Sequence, residues 1–237
     1  MRRAVRCIVL LLIAACATTP AIDISNPRAK KMIRFEGGTL HPAGHADEVD
    51  VAPFLIDVTE VTTSEYRECV RSGACAEAAK GPACTYFDEG AGRLPINCVT
   101  WEHAVDYCKW LDKRLPTEAE WEWAARGGTA ARKFPWGDAM PVNQLCWNGA
   151  GNPLGKGQRR GPCPIGSYPK GNTPEGLVDM GGNVQEWTSN VWKVGGRIVR
   201  GGGWTHEDFD DLLTTRRATY NAAKADASIG FRCAKSP

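Results

Sequence analysis

The chain has 237 residues, 24% of them charged, with 29 Lys+Arg against 27 Asp+Glu. That length allows one sizeable core. The first fifteen residues hold three of the basic residues and none of the acidic ones, which leaves 26 against 27 in the remainder. A near-neutral domain argues against nucleic acid as a partner.

In chain order, Arg2, Arg3 and Arg6 precede an uncharged apolar run, Ile8 to Ala15, and then Cys16. The run is too short to span a bilayer, which takes about 20 residues. Its Ile13-Ala14-Ala15-Cys16 ending resembles a bacterial lipoprotein signal, cut before a Cys that carries lipid. Residues 1–15 are therefore expected as signal peptide, and 16–31 as lipidated N-terminus and tether. Acylated Cys16 would anchor the chain to a bilayer in the cell envelope. Ala17 stands where an Asp would favour inner-membrane retention, which points to the outer membrane.

Residues 32–237 read as the domain. Strands are expected at Met32–Phe35, Phe54–Val58, Gly196–Arg200 and near Gly230–Cys233. Thr62 with Glu65 forms a capping box ahead of a helix to about Arg71, which Gly73 stops. Thr100 opens a second helix, whose Trp101, Ala104, Val105, Cys108 and Leu111 make one apolar stripe. Thr117 and Glu120 form another capping box, and Gly127-Gly128 follow that helix. From Phe134 to Pro174 almost nothing is periodic, and a stretch this long is usually functional or stapled.

Cys7 and Cys16 belong to the targeting segment, and eight cysteines remain. An even number in an exported chain reads as disulfides, and no pair has the spacing that zinc sites favour. None lies between Cys163 and Cys233.

Five ordered segments carry a resemblance: "RLPTEAEWEWAARGG" (Arg114–Gly128), "FPWG" (Phe134–Gly137), "GLVDMGGNVQEWTSN" (Gly176–Asn190), "RIVRGGGW" (Arg197–Trp204) and "GFRC" (Gly230–Cys233). Together they resemble the formylglycine-generating enzymes, or sulfatase-modifying factors, over roughly residues 32–235. The resemblance implies an α+β fold: a single mixed α/β domain with much irregular structure, a variant of the C-type lectin fold. It also implies a disulfide between Cys108 and Cys233. Cys146 is expected to pair with Cys163 across the irregular stretch, with two further bridges among Cys69, Cys75, Cys84 and Cys98.

Active members of that family oxidise a sulfatase cysteine with oxygen and a copper ion held by two cysteines. Soft thiolates suit copper(I). The copper-ligand positions fall here at or next to His206 and at about Asp210 or Asp211, and the preceding Ser of the family's turn is Gly203. Copper is therefore not expected, and carboxylates there are hard ligands. His206, Asp208, Asp210 and Asp211 read as a solvated acidic loop rather than a new metal site. The family's calcium turn maps to Asp179, the carbonyls of Gly182 and Val184, and Glu186, so structural calcium is expected.

The expected function is a membrane-anchored, non-oxidase binding module. Its partner would be an envelope protein, peptide or glycan, met by a groove near Trp192, Gly203, Trp204 and His206. The alternatives are a formylglycine-generating oxidase with a divergent site, or another metal-dependent oxidase. Of the latter, an iron triad drawn from His41, His45, His103 and His206 has no supporting pattern.

Overall fold

The computed structural model describes residues 26–42 and 47–237. The signal segment, Cys16 and His45 lie outside the described residues. Residues 26–31, expected as the end of the tether, pack on the domain instead. Pro27 is buried, and the Lys30 ammonium pairs with buried Glu65 at 2.8 Å. The physical reason is that Glu65, carried inward by its capping box, needs a cation.

The chain then forms strands β1 (Met32–Phe35), β2 (Gly38–Leu40), β3 (Val49–Val51) and β4 (Phe54–Asp57). Helices α1 (Thr63–Arg71), α2 (Trp101–Trp110) and α3 (Glu118–Arg126) follow. Strands β5 (Gln185–Val191), β6 (Gly196–Arg200), β7 (Arg217–Asn221), β8 (Ile229–Gly230) and β9 (Ala234–Lys235) complete it. Both capping boxes form, and Gly127 ends α3 in the left-handed region. Each box satisfies backbone N–H groups that a helix start leaves orphaned.

Strands β1, β4 and β9 make one antiparallel sheet, β2 and β3 a hairpin, and β7-β6-β5-β8 a second sheet. The strand expected over Gly230–Cys233 is split, because β8 pairs with β5 and β9 with β4. Phe231, Arg232 and Cys233 are the crossing point between the sheets, and all three are wholly buried. One apolar cluster joins α1, α2, Trp187 and Phe231, and another packs α3 against β1–β4 through Phe54, Ile56 and Trp121.

Four disulfides use every cysteine of the domain: Cys69–Cys75, Cys84–Cys98, Cys108–Cys233 and Cys146–Cys163. Cys108–Cys233 ties α2 to the crossing point across 125 residues. The stretch from Phe134 to Pro174 has no helix or strand beyond an isolated bridge and one 3₁₀ turn. Cys146–Cys163 staples it, and Phe134, Leu145 and Trp147 pack there with Leu212.

Candidate functional site

Asp179 to Glu186 form a tight turn entering β5. Asp179, Gly182 and Asn183 all have positive φ, at 54°, 80° and 56°. A side chain at Gly182 would meet the Cys146 carbonyl oxygen at 2.7 Å, so only glycine fits. Asn183 holds the turn in place with four bonds. Its N–H donates to Cys146 O and its amide donates to Glu60, while its own oxygens accept from Cys163 N and Trp204 N.

Beneath the turn lies a buried charge cluster. Arg232 Nη2 donates to Glu186 Oε1 at 2.8 Å and to Val178 O, while its Nη1 donates to the carbonyls of Asp57 and Val58. Its Nε also reaches the Glu186 carboxylate, which accepts Trp121 Nε1 as well. Glu60 accepts from Val184 N and Asn183 Nδ2. Asp179 accepts from Gly166 N at 2.7 Å. Three carboxylates thus face one guanidinium. Burial, with lesser repulsion from Glu186, pushes the Asp179 carboxyl up to about 6. Burial first, then Asp179 and Glu186, raises Glu60 well above the usual range.

That excess of negative charge is what a hard divalent cation neutralises. Asp179 fits such an ion, as do the carbonyls of Gly182 and Val184, which accept no hydrogen bond from the described residues. Glu186 departs from the implied set, because Arg232 and Trp121 engage both its oxygens. Its share is field strength. The sequence reading missed Glu60 and Arg232, although an acid set between Val58 and Val61 just after a strand is a usable signal.

The second region begins where β6 ends. Gly203 is buried, and a Cβ there would lie 3.2 Å from Gln185 N and Ser228 O. The His206 imidazole Nδ1 accepts from Gly203 N at 3.0 Å. His206 and Asp211 line one cavity of about 220 Å³ with Gln185, Arg200, Arg216 and Tyr220. Asp211 accepts from Arg216 Nε at 3.2 Å, whereas Asp208 and Asp210 are exposed. Among the described residues no three His, Cys, Asp or Glu side chains converge on a metal position. His41 is exposed beside Glu48, and His103 lies on α2.

A larger cleft of about 510 Å³ adjoins this cavity, sharing Arg200 and Arg216 with it. Arg200 is buried between them, bonded to Glu122 and to the Arg216 carbonyl. The four expected groove residues do not form one wall, although the Trp192 ring meets the cleft-lining Arg217 guanidinium at 4.6 Å. His206 lines the cavity, Gly203 lies below it, and the Trp204 indole N–H turns to Ala227 O. Trp192 sits at the far tip of the β5–β6 hairpin. Glu186 pairs with Arg200 at one end and Val191 with Arg197 at the other, so roughly 15 Å of strand intervenes.

Residues 20–237 match the family model described as sulfatase-modifying factor enzyme 1-like domain. The chain is 30% identical to mouse "Inactive C-alpha-formylglycine-generating enzyme 2", over 97% of this chain and 92% of that protein. It is 35% identical to bovine "Formylglycine-generating enzyme", over 90% of this chain and 64% of that protein. The fold is similar to that of PvdO from Pseudomonas aeruginosa, with a TM-score of 0.71 at 22% identity, covering 90% and 96% of the two chains. By its domain match, its identity to curated relatives and its fold, the chain belongs to the formylglycine-generating enzyme, or sulfatase-modifying factor, family.

Proposed function

We propose that this protein is a membrane-anchored, non-oxidase binding module of the family, with its ligand taken by the cavity and cleft on either side of Arg200. One observation carries the reading: all eight cysteines of residues 26–237 are in disulfides, and His206 and Asp211 stand in the cavity instead of thiols. Copper(I) chemistry of the family type needs soft thiolates that can also leave room for a substrate thiolate. The relative whose printed name is inactive supports the same reading. A peptide, glycan or envelope protein with both polar and aliphatic groups suits a cleft that sets Leu40, Pro42 and Leu213 beside Glu118 and Arg217. The test is oxygen uptake with a Cys-x-Pro-x-Arg peptide and added copper. No uptake is expected, and turnover would overturn the reading.

A structural calcium ion belongs to the same proposal. Asp179 would supply a carboxylate and Gly182 and Val184 their carbonyls, while Glu60 and Glu186 balance charge. Calcium added after chelation should raise the melting temperature, more in the unsubstituted chain than in Asp179→Asn. For the anchor, the arginines and apolar run before Cys16 are the support. Cys16→Ser should abolish incorporation of labelled fatty acid, and incorporation that persists would remove the anchor from the proposal.

A further inference from the structure

The β5–β6 hairpin spends apolar side chains where solution gives no return for them. Val191 is 61% exposed, Trp192 45% and Val194 wholly so, three of the nine large exposed hydrophobics among the described residues, within four positions. Of the remaining six, Met140 and Val142 share one loop and the other four are dispersed. The turn is tight: Gly196 N donates to Lys193 O, and Gly195 takes the positive φ. Trp192 is held in place, with the Arg217 guanidinium 4.6 Å from its ring. Exposed Lys193 sits between the apolar residues, and Arg197 lies on the same hairpin, over Trp101. The loop bearing exposed Ala223, Lys224 and Ala225 joins the tip through Ala222 N, which donates to Gly195 O.

The acids in this neighbourhood do not cancel the basic residues at the tip. Glu118 is already shared by Arg217 and Arg200, and Glu102 projects from the start of α2. A convex tip of three side chains falls well short of the roughly 800 Å² per partner that a stable protein interface buries. A bilayer surface makes no such demand. Its headgroup layer takes a Trp ring, its acyl boundary takes valines, and lysines beside them stay hydrated while meeting anionic lipid.

We propose that the Val191–Arg197 hairpin tip inserts into the interfacial layer of an anionic membrane. It is a contact separate from any lipid on Cys16, and it would orient the cleft beside Arg200 relative to the bilayer. The experiment uses the chain from residue 16 onward carrying Cys16→Ser, so that neither an acyl anchor nor the basic, apolar segment before it plays a part. Flotation is measured with vesicles of phosphatidylcholine alone and with one quarter phosphatidylglycerol. Binding to the anionic vesicles is expected. It should weaken about tenfold in Val194→Asp, from the loss of one buried valine, and weaken further in 0.5 M salt from screening of Lys193. Brominated lipid should quench fluorescence in this chain more than in its Trp192→Phe variant. Unchanged binding in Val194→Asp and Trp192→Phe would overturn the proposal, as would equal binding to both vesicle types. Because these side chains are exposed, an unaltered thermal melt checks that each variant is folded.

Discussion

The turn at Asp179–Glu186 and the loop at Gly203–Arg216 meet at Trp204 N and Asn183 O, yet they are built on opposite plans. Asn183 and Glu186 in the turn, and Arg232 beneath it, are buried and bonded to several chain segments each. In the loop, Glu207, Asp208, Phe209 and Asp210 face solvent, and their ion pairs are few and superficial. A change in the turn exposes a network in which each lost partner strands another charge. A change at the exposed residues 207–210 costs little. The fold can therefore be kept while the exposed part of the loop is rewritten, because the bonds that hold it lie in a different segment.

The largest expected effect in the turn region comes from replacing both Cys108 and Cys233 by Ala. Releasing a 125-residue loop should cost about 5 kcal/mol in the chain-entropy model, read from urea unfolding. A loss below about 1 kcal/mol would mean that the crossing point holds without its staple. Next, Arg232→Met leaves Glu186, Glu60 and Asp179 without their guanidinium. A loss of roughly 3–5 kcal/mol is expected, the range for breaking a buried pair. A neutral result would show that the carboxylates are protonated or relaxed into solvent.

The pH dependence probes the same cluster with a smaller perturbation. Burial raises the Asp179 carboxyl from its ordinary 3.8 to about 6. A raised acid stabilises the native state most when protonated, so its contribution is present below about pH 4 and lost as pH rises through 6. In metal-free protein, Asp179→Asn should therefore melt above the unsubstituted chain at pH 7.5, with the gap closing towards pH 4. Saturating calcium should reverse the order at pH 7.5. An identical melt for both chains at every pH would dissolve the cluster as an energetic unit. The smallest effect belongs to the loop: Asp208→Ala or Asp210→Ala should shift stability by no more than roughly 0.5 kcal/mol. A loss of several kcal/mol in either would erase the contrast between the two regions.

Much of the fold was legible in local signals. Thr62 with Glu65 and Thr117 with Glu120 mark helix starts because a cap is chemistry within four residues. Strands β2, β3, β5 and β7 were not expected as strands. β7 is an edge strand of the sheet, half-exposed along its length, so Arg217–Asn221 carries no clean alternation. The charge cluster joins Glu60, Asp179, Glu186 and Arg232 across more than 170 residues, a distance that periodicity does not cross. Trp192 was placed by nearness in sequence, and what it meets, the Arg217 guanidinium at the cleft, belongs to a strand that no local signal pairs with it.

Asn183 sets a fixed reference point for the loop after it. Its four polar groups meet the chain near residues 60, 146, 163 and 204, so the main chain entering the loop is located before any loop side chain is chosen. A segment indexed in that way can be rewritten letter by letter while its starting coordinates stay constant. The domain is thus a ready host for library variation between Thr205 and Asp211, where altered recognition could be selected without reselecting the fold.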